Sequence, residues 1–202
     1  MFDEWFRVHK ERWLAPLAAW LGRLFSPLAL TLLALGLGLL SAGAAARAAW
    51  LPALALWLAN RLLDGVDGVL ARQSGRQSEL GGYLDIVCDF AVYGAMPVAI
   101  ALALDTRAAW LASTVLLASW FVNAASWMYL AAVLEKRGAG AAARGELTSV
   151  TMPRGLVAGT ETVLFFIAFL LWPSHYAALA WVMTAGVAVG IGQRVAWAVR
   201  RL

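Results

Sequence analysis

The stretch of sequence that decides how this chain is built is LLDGVDGVLARQSGRQSELGGYLDIVCDF, residues 62–90. It places four aspartates, Asp64, Asp67, Asp85 and Asp89, inside a chain that is 62% hydrophobic. A carboxylate at membrane depth is costly and usually marks a functional site. Four carboxylates close together also repel one another unless cations neutralise them. The pattern therefore predicts a cation-binding functional site in a membrane protein.

The composition of the whole chain is typical of an integral membrane protein. Only 14% of its 202 residues are charged and the mean hydropathy is +0.74, whereas soluble domains carry about 25% charged residues. The length suits a single membrane domain over residues 1–202. Cys88 is the only cysteine, which excludes an internal disulfide. The net charge of +4 requires no nucleic acid as a partner, because anionic lipid headgroups supply the opposite charge.

Apolar runs of about 20 residues, the length that crosses a bilayer, divide most of the chain. They predict an all-α integral membrane protein with a bundle over 26–200 of six transmembrane helices, at 26–46, 49–70, 83–104, 108–133, 154–173 and 176–197. Aromatic and basic residues are mixed in the preceding segment 1–24, which predicts an amphipathic helix lying in the membrane interface. A cleaved signal peptide is the competing interpretation, but the apolar run after residue 24 is too long for a signal core.

The basic residues are distributed unevenly between the two sides that six spans would define. The predicted outer turns hold only Arg47 and Arg107, while 14 of the 16 basic residues fall near the opposite ends. The positive-inside rule then predicts that both termini and the aspartates face the cytoplasm, across a bacterial-type cytoplasmic membrane. The polar segment 135–154 is interrupted by glycines and is predicted to be a cytoplasmic loop on the side of the aspartates.

The spacing in residues 62–90 resembles the signature of the CDP-alcohol phosphotransferase family. All eight fixed positions of that signature are present, at Asp64, Asp67, Gly68, Ala71, Arg72, Gly81, Asp85 and Asp89. The resemblance implies a CDP-alcohol phosphatidyltransferase, which moves a phosphatidyl group from CDP-diacylglycerol to the hydroxyl of a small polar alcohol and releases CMP. It also implies a homodimer. Small residues such as Gly36 and Gly38, or Gly186 and Gly190, permit close helix contact, and the second pair has GxxxG spacing; packing of spans within one chain is the alternative.

Helical spacing predicts that the aspartates come together. Asp64 and Asp67 are three residues apart and Asp85 and Asp89 are four apart, so each pair shares one helix face. Hard divalent cations such as Mg²⁺ prefer carboxylate oxygens. Two metal ions about 4 Å apart stabilise both the attacking and the leaving oxygen in a displacement at phosphorus. A buried ion-pair network without chemistry is the structural alternative.

The family resemblance implies a role for each residue of the site. Asp64, Asp67 and Asp85 would bind two divalent ions, Mg²⁺ or Mn²⁺. Asp89 would take the proton of the acceptor hydroxyl and also contact a metal. Residues at the CDP-lipid are small, or carry a charge or hydroxyl group, and comprise Asp64, Gly68, Ala71, Arg72, Gly81 and Thr31.

Two of these substrate assignments depend on particular neighbours. Arg72 would pair with the pyrophosphate, because its planar guanidinium matches phosphate geometry. Thr31 closes the segment SPLALT, residues 26–31, in which Leu28 replaces the Asn that relatives often carry. Pro27 in the same segment is equally a favourable residue for starting a helix, so the segment is either part of the nucleotide site or only a helix start.

The acceptor alcohol stays open between serine, glycerol 3-phosphate and inositol phosphate types. The segment FAVYGAMP that follows Asp89 resembles phosphatidylserine synthase relatives. Arg144 and Arg154 favour a phosphorylated acceptor instead, although both also fit the positive-inside pattern. Glu161 lies in the fifth predicted span and is either functional or paired with a polar side chain such as Asn123 or Ser126.

A transporter or proton-conducting protein that uses intramembrane carboxylates is the main alternative function. Transporters often contain inverted repeats and helices broken near mid-bilayer. This sequence shows neither feature clearly, and its carboxylates cluster at one end of two predicted spans. A scaffold that has lost its activity is disfavoured, because every signature position is intact.

Overall fold

The computed structural model of the chain describes residues 2–140, 156–157 and 159–202, with side chains described from residue 11 onward. These residues form α-helices, one short 3₁₀ helix and connecting turns, without any strand in the described part of the chain. The predicted all-α fold class is therefore confirmed. The chain divides into two compact units, Met1–Leu104 and Asp105–Leu202.

The first unit contains four helices, α1 (Phe2–Leu21), α2 (Pro27–Ala45), α3 (Trp50–Gln73) and α4 (Glu79–Leu104). Pro27 starts α2, and the Ser26 hydroxyl accepts a hydrogen bond from the Ala29 amide at 3.2 Å. This is the expected arrangement of an N-cap followed by proline at the first helical position. Past the end of α3, Gly75 adopts a φ of 63°, a left-handed conformation that glycine reaches without steric cost.

Small and polar residues allow α2 to pack closely within this unit. A methyl group added at Gly38 would lie 2.5 Å from a Val92 methyl, so only glycine fits there without a shift. The Asn60 side-chain amide donates to the Ala34 carbonyl at 2.7 Å, and the Ser41 hydroxyl donates to the Ala53 carbonyl at 2.7 Å. These contacts satisfy polar groups that would be costly at membrane depth. Gly38 therefore packs helices of one chain together.

Helix α1 is held against α3 by its C-terminal half. Ala18 is fully buried with Val66 and Leu70, and Leu14 and Leu17 pack against the same cluster. The predicted helix in 1–24 is thus present as Phe2–Leu21. The amphipathic character and interfacial position of this helix stay predictions, since the side chains of residues 2–10 lie outside the described set.

The second unit contains α5 (Arg107–Lys136), α6 (Gly159–Leu171) and α7 (Tyr176–Arg201), with a 3₁₀ turn at Pro173–His175 before α7. Its core is aromatic: the ring of Phe169 lies 5.5 Å from that of Phe166 and 5.0 Å from that of Tyr176, centroid to centroid. The hydroxyl groups of Tyr176 and Ser113 are 2.6 Å apart and share a buried hydrogen bond. Such paired hydroxyls are the expected way to bury tyrosine.

The structure supports four of the six predicted spans on length and composition. Helices long and apolar enough to cross a membrane are Pro27–Ala45, Glu79–Leu104, Arg107–Lys136 and the stretch Pro173–Arg201. Helix α3 is long enough at 24 residues, but its second half carries the charged residues of the signature. Helix α6 has 13 described residues and begins at Gly159, whereas the span was predicted from residue 154. A six-span bundle therefore stays a prediction.

Candidate active site

The second half of α3 and the first half of α4 carry the four aspartates. Asp64 interacts electrostatically with Asp85 and Asp89, and Asp67 interacts with Asp64 and Asp89. The two predicted helix faces therefore meet, as their spacing indicated. Asp67 is buried at 5% exposure, while the side chains of Asp64 and Asp89 are 23% and 26% exposed. A cluster of mutually repelling carboxylates of this kind requires nearby positive charge.

Arg61 supplies positive charge to this cluster, and sequence analysis did not identify it. Its Nη2 donates to Asp89 Oδ1 at 2.7 Å, and its Nη1 lies 3.6 Å from Asp64 Oδ2. Its remaining hydrogen bonds go to Asn60 Oδ1 at 2.6 Å and the Tyr93 hydroxyl at 2.8 Å. A signal was available, because Arg61 precedes Asp64 by three residues and so shares its helix face. An intramembrane cation beside an intramembrane anion is a pair to look for.

Thr31 reaches the aspartates from α2. Its hydroxyl donates to Asp67 Oδ2 at 2.6 Å, in a buried contact between residues 36 positions apart. Thr31 was predicted to contact the nucleotide, and in the structure it holds a predicted metal ligand. Ser26 caps α2 and Pro27 starts it, as the helix-start interpretation predicts, and a nucleotide contact of this segment stays a prediction. Leu28 is exposed at 38%.

The donor set suits a hard divalent cation, but the side chains do not converge on a single point. Carboxylate oxygens are the ligands that Mg²⁺ and Mn²⁺ prefer. Among the described residues, however, no group of three or more His, Cys, Asp or Glu side chains is arranged to hold a metal ion. The reason lies in the contacts above: Asp64 and Asp89 face Arg61, and Asp67 faces Thr31. Metal binding requires these carboxylates to exchange protein donors for the ion.

Arg72 lies in the last turn of α3 and is paired with α1. Its Nε contacts Glu11 Oε1 at 2.5 Å, and the two side chains are 28% and 33% exposed. Gly68 lies beneath this guanidinium, since a methyl group there would be 3.3 Å from Arg72 Nη1. Gly81 lies in the first turn of α4, and its amide donates to the Ser78 hydroxyl at 3.0 Å, which is the N-cap arrangement. Ala71 is partly buried.

The predicted acceptor residues Arg144 and Arg154 lie outside the described residues. In the second unit the structure shows a buried arginine that sequence analysis did not identify, Arg194, at 5% exposure. It donates to Ser126 Oγ at 2.5 Å and to Asn123 Oδ1 at 2.7 Å. Asn123 and Ser126 had been considered as partners for Glu161, and they contact Arg194. Among the described residues, its Nε has no hydrogen-bond partner.

Comparison with known proteins decides the family. The model of the CDP-alcohol phosphatidyltransferase family matches residues 24–192 of this chain. The chain belongs to this family. The resemblance found in residues 62–90 is therefore confirmed, and the match extends over all the helices from α2 onward, including most of α7. Membership of a transferase family favours the enzyme over the transporter.

Individual relatives agree with this assignment. The inner membrane protein YnjF of Escherichia coli (strain K12) is 35% identical over 134 residues, which cover 63% of this chain and 64% of YnjF. The match thus spans less than two thirds of that relative. Together with the apolar helices, it supports an integral membrane protein.

Two solved structures share the fold. Both are of phosphatidylinositol phosphate synthase (PgsA1) from Mycobacterium tuberculosis. The form with CDP-DAG bound has a TM-score of 0.70 at 20% identity, over 91% of this chain and 92% of that one. The form in complex with manganese and citrate also has a TM-score of 0.70, at 19% identity over 90% and 87% of the two chains. At this identity the likeness establishes the fold.

Proposed function

We propose that this protein transfers a phosphatidyl group from CDP-diacylglycerol to the hydroxyl of a small polar alcohol. The observation that carries the proposal is the complete eight-residue signature, whose four aspartates lie within electrostatic reach of one another across α3 and α4. The fold shared with a synthase that binds CDP-DAG supports this donor. The acceptor is of the serine, glycerol 3-phosphate or inositol phosphate type.

The proposed reaction is a displacement at the β-phosphorus of the CDP-lipid. The acceptor oxygen forms a bond to this phosphorus, the bond to the bridging oxygen breaks, and CMP leaves with that oxygen. Asp89 takes the proton of the acceptor hydroxyl, a transfer that typically contributes about 10²–10⁴-fold. Two divalent ions, Mg²⁺ or Mn²⁺, would neutralise charge on the attacking and leaving oxygens. Asp64, Asp67 and Asp85 would hold them together with Asp89.

The nucleotide end of the substrate is assigned to the C-terminal part of α3. Arg72 is partly exposed, so its guanidinium can turn toward a pyrophosphate. Gly68 and Ala71 present little side chain, which lets the nucleotide approach the helix. Thr31 and Gly81 act through Asp67 and through the start of α4, the contacts they make here.

The membrane arrangement completes the proposal. With α3 and α6 included, six helices cross the bilayer, and both termini and the aspartates face the cytoplasm of a bacterial-type membrane. The support is the uneven distribution of the basic residues, because only Arg47 and Arg107 lie in the predicted outer turns. A homodimer is proposed from the family resemblance. Gly38 packs against Val92 in the first unit, and a methyl group at Gly186 would lie 2.8 Å from Val157 in the second unit, so neither glycine is part of that argument.

An acceptor panel tests the proposed function. Purified protein is given CDP-diacylglycerol labelled in the cytidine, Mg²⁺ or Mn²⁺, and one candidate alcohol at a time, and released CMP is measured. We expect release that depends on the metal and on one acceptor class, and that EDTA abolishes. Protein that binds CDP-diacylglycerol and metal but releases no CMP with any acceptor would contradict the proposal.

A further inference from the structure

Arg61 is a buried cation within the carboxylate site, and the proposed reaction assigns it no role. Its side chain is only 10% exposed, and it contacts two of the four predicted metal ligands. We infer that Arg61 is a built-in counter-cation, which holds Asp64 and Asp89 when no divalent ion is bound and competes with that ion for them. The inference rests on the proposed metal site, and it concerns how the charge of Arg61 offsets the charges of Asp64 and Asp89.

The guanidinium of Arg61 is fixed in place by groups other than the carboxylates. Its Nε donates to Asn60, and Asn60 is itself anchored to the Ala34 carbonyl of α2. Its carbon atom Cζ lies 5.0 Å from the ring centroid of Trp57 and 5.1 Å from that of Tyr93. Two cation–π contacts of this kind hold an arginine firmly. Arg61 therefore stays where it is, and the carboxylates are the groups that exchange partners.

The contacts to the carboxylates explain the arrangement of the site. Asp89 Oδ1 is 2.7 Å from Nη2 of Arg61, which is a strong charge-assisted hydrogen bond. Asp64 Oδ2 lies 3.6 Å from Nη1. A metal ion that binds these oxygens must replace the guanidinium as their partner. The positive charge of Arg61 then remains close to the metal ion and repels it. Arg61 thus stabilises the site without metal and weakens its affinity for metal.

Substitutions of Arg61 can separate the effect of its charge from the effect of its packing. Arg61→Gln removes the charge and keeps a polar side chain, whereas Arg61→Lys keeps the charge and loses the planar fork of donors. Combining Arg61→Gln with Asp89→Asn removes one charge of each sign. Arg47→Gln is the matched control, because Arg47 is exposed in the turn after α2 and its side chain donates to the Gly43 carbonyl at the end of that helix.

The experiment measures thermal unfolding in EDTA and in Mg²⁺, and Mn²⁺ affinity by electron paramagnetic resonance of the free ion. We expect Arg61→Gln to unfold at a lower temperature than the unmodified protein in EDTA and to recover most of that loss in Mg²⁺. Its Mn²⁺ dissociation constant falls at least tenfold. Asp89→Asn added to Arg61→Gln restores stability in EDTA. Arg61→Lys keeps the charge but not the fork, so it loses less stability in EDTA than Arg61→Gln, and Arg47→Gln changes neither quantity.

Other results would overturn the inference. Arg61→Gln that binds Mn²⁺ no more tightly, or whose lost stability returns neither with Mg²⁺ nor with Asp89→Asn, would show that Arg61 serves packing alone. If Arg61→Gln cannot be purified, the Arg61→Gln/Asp89→Asn protein decides: its recovery supports the counter-cation, and its failure to fold refutes it. If the unmodified protein binds neither ion, the proposed metal site fails, and the comparison in EDTA still tests the charge balance.

Discussion

Replacing Thr31 by valine removes one hydroxyl from beneath the carboxylate cluster. Thr31 is 6% and Asp67 5% exposed, and the hydroxyl donates to Asp67 Oδ2 at 2.6 Å. Valine has nearly the same shape and cannot donate, so the change leaves a buried carboxylate short of a donor. A hydrogen bond to a charged group contributes about 1.5–3 kcal/mol. We expect Thr31→Val to lower the free energy of unfolding by that amount.

The assay is reversible unfolding in mixed micelles, run beside two comparison proteins. Thr31→Ser keeps the hydroxyl and is expected to retain most of the stability. Thr114→Val is the matched control, because Thr114 is exposed and its hydroxyl donates only to the Trp110 carbonyl at 2.8 Å in its own helix. This control should change stability by less than about 0.5 kcal/mol, as surface substitutions usually do.

A second measurement separates holding Asp67 from contacting the nucleotide. If Thr31 acts through Asp67, Thr31→Val alters the metal concentration for half-maximal activity more than the KM for the CDP-lipid. In an Asp67→Asn background it costs much less stability, because the two changes are coupled. Thr31→Val with unchanged stability and a raised KM for the CDP-lipid alone would refute the reasoning and return Thr31 to the nucleotide site.

Three further predictions concern the edges of the site and the topology. Glu11→Gln frees Arg72 from a competing carboxylate. Because a partly exposed ion pair contributes about 1 kcal/mol or less, we expect the KM for the CDP-lipid to fall up to about fivefold in steady-state assays. A rise in this KM would show that Glu11 positions Arg72. A cysteine at the exposed Lys136 in a Cys88→Ala background should be labelled from the cytoplasmic side, and labelling from outside would overturn the topology. Arg154→Ala should raise the acceptor KM at least tenfold if the acceptor carries phosphate, since charge-assisted hydrogen bonds contribute about 1.5–3 kcal/mol each; an unchanged KM argues against that contact.

The sequence was most informative where chemistry constrains spacing. The steps between Asp64, Asp67, Asp85 and Asp89 follow the helical period, so the two helix faces could be identified before their packing was known. Most helix positions could also be predicted from the sequence, because apolar runs identify membrane segments directly. The start of α4 was less accurate: it begins at Glu79, four residues before the predicted span, because the Ser78 hydroxyl caps the helix ahead of the continuous apolar run.

The residues that were missed depend on contacts between helices. The spacing from Arg61 to Asp64 was a local signal, but its pairing with Asp89, 28 positions away, depends on how α3 packs against α4. Thr31 could be identified as a site residue, but its partner Asp67 depends on how α2 packs against α3. Arg194 was counted among the basic residues near the membrane edge, whereas it is buried against α5. Such partners follow from tertiary packing, which periodicity alone does not determine.

The most direct test of the central claim is CMP release at saturating metal by four single variants, in which each aspartate of the signature is replaced by asparagine. The substitution keeps side-chain size and removes the charge that would bind metal or take the proton. We predict that Asp64→Asn, Asp67→Asn, Asp85→Asn and Asp89→Asn each stay folded and lose at least about 10²-fold in turnover. Near-normal turnover in any two of the four would contradict a four-carboxylate site.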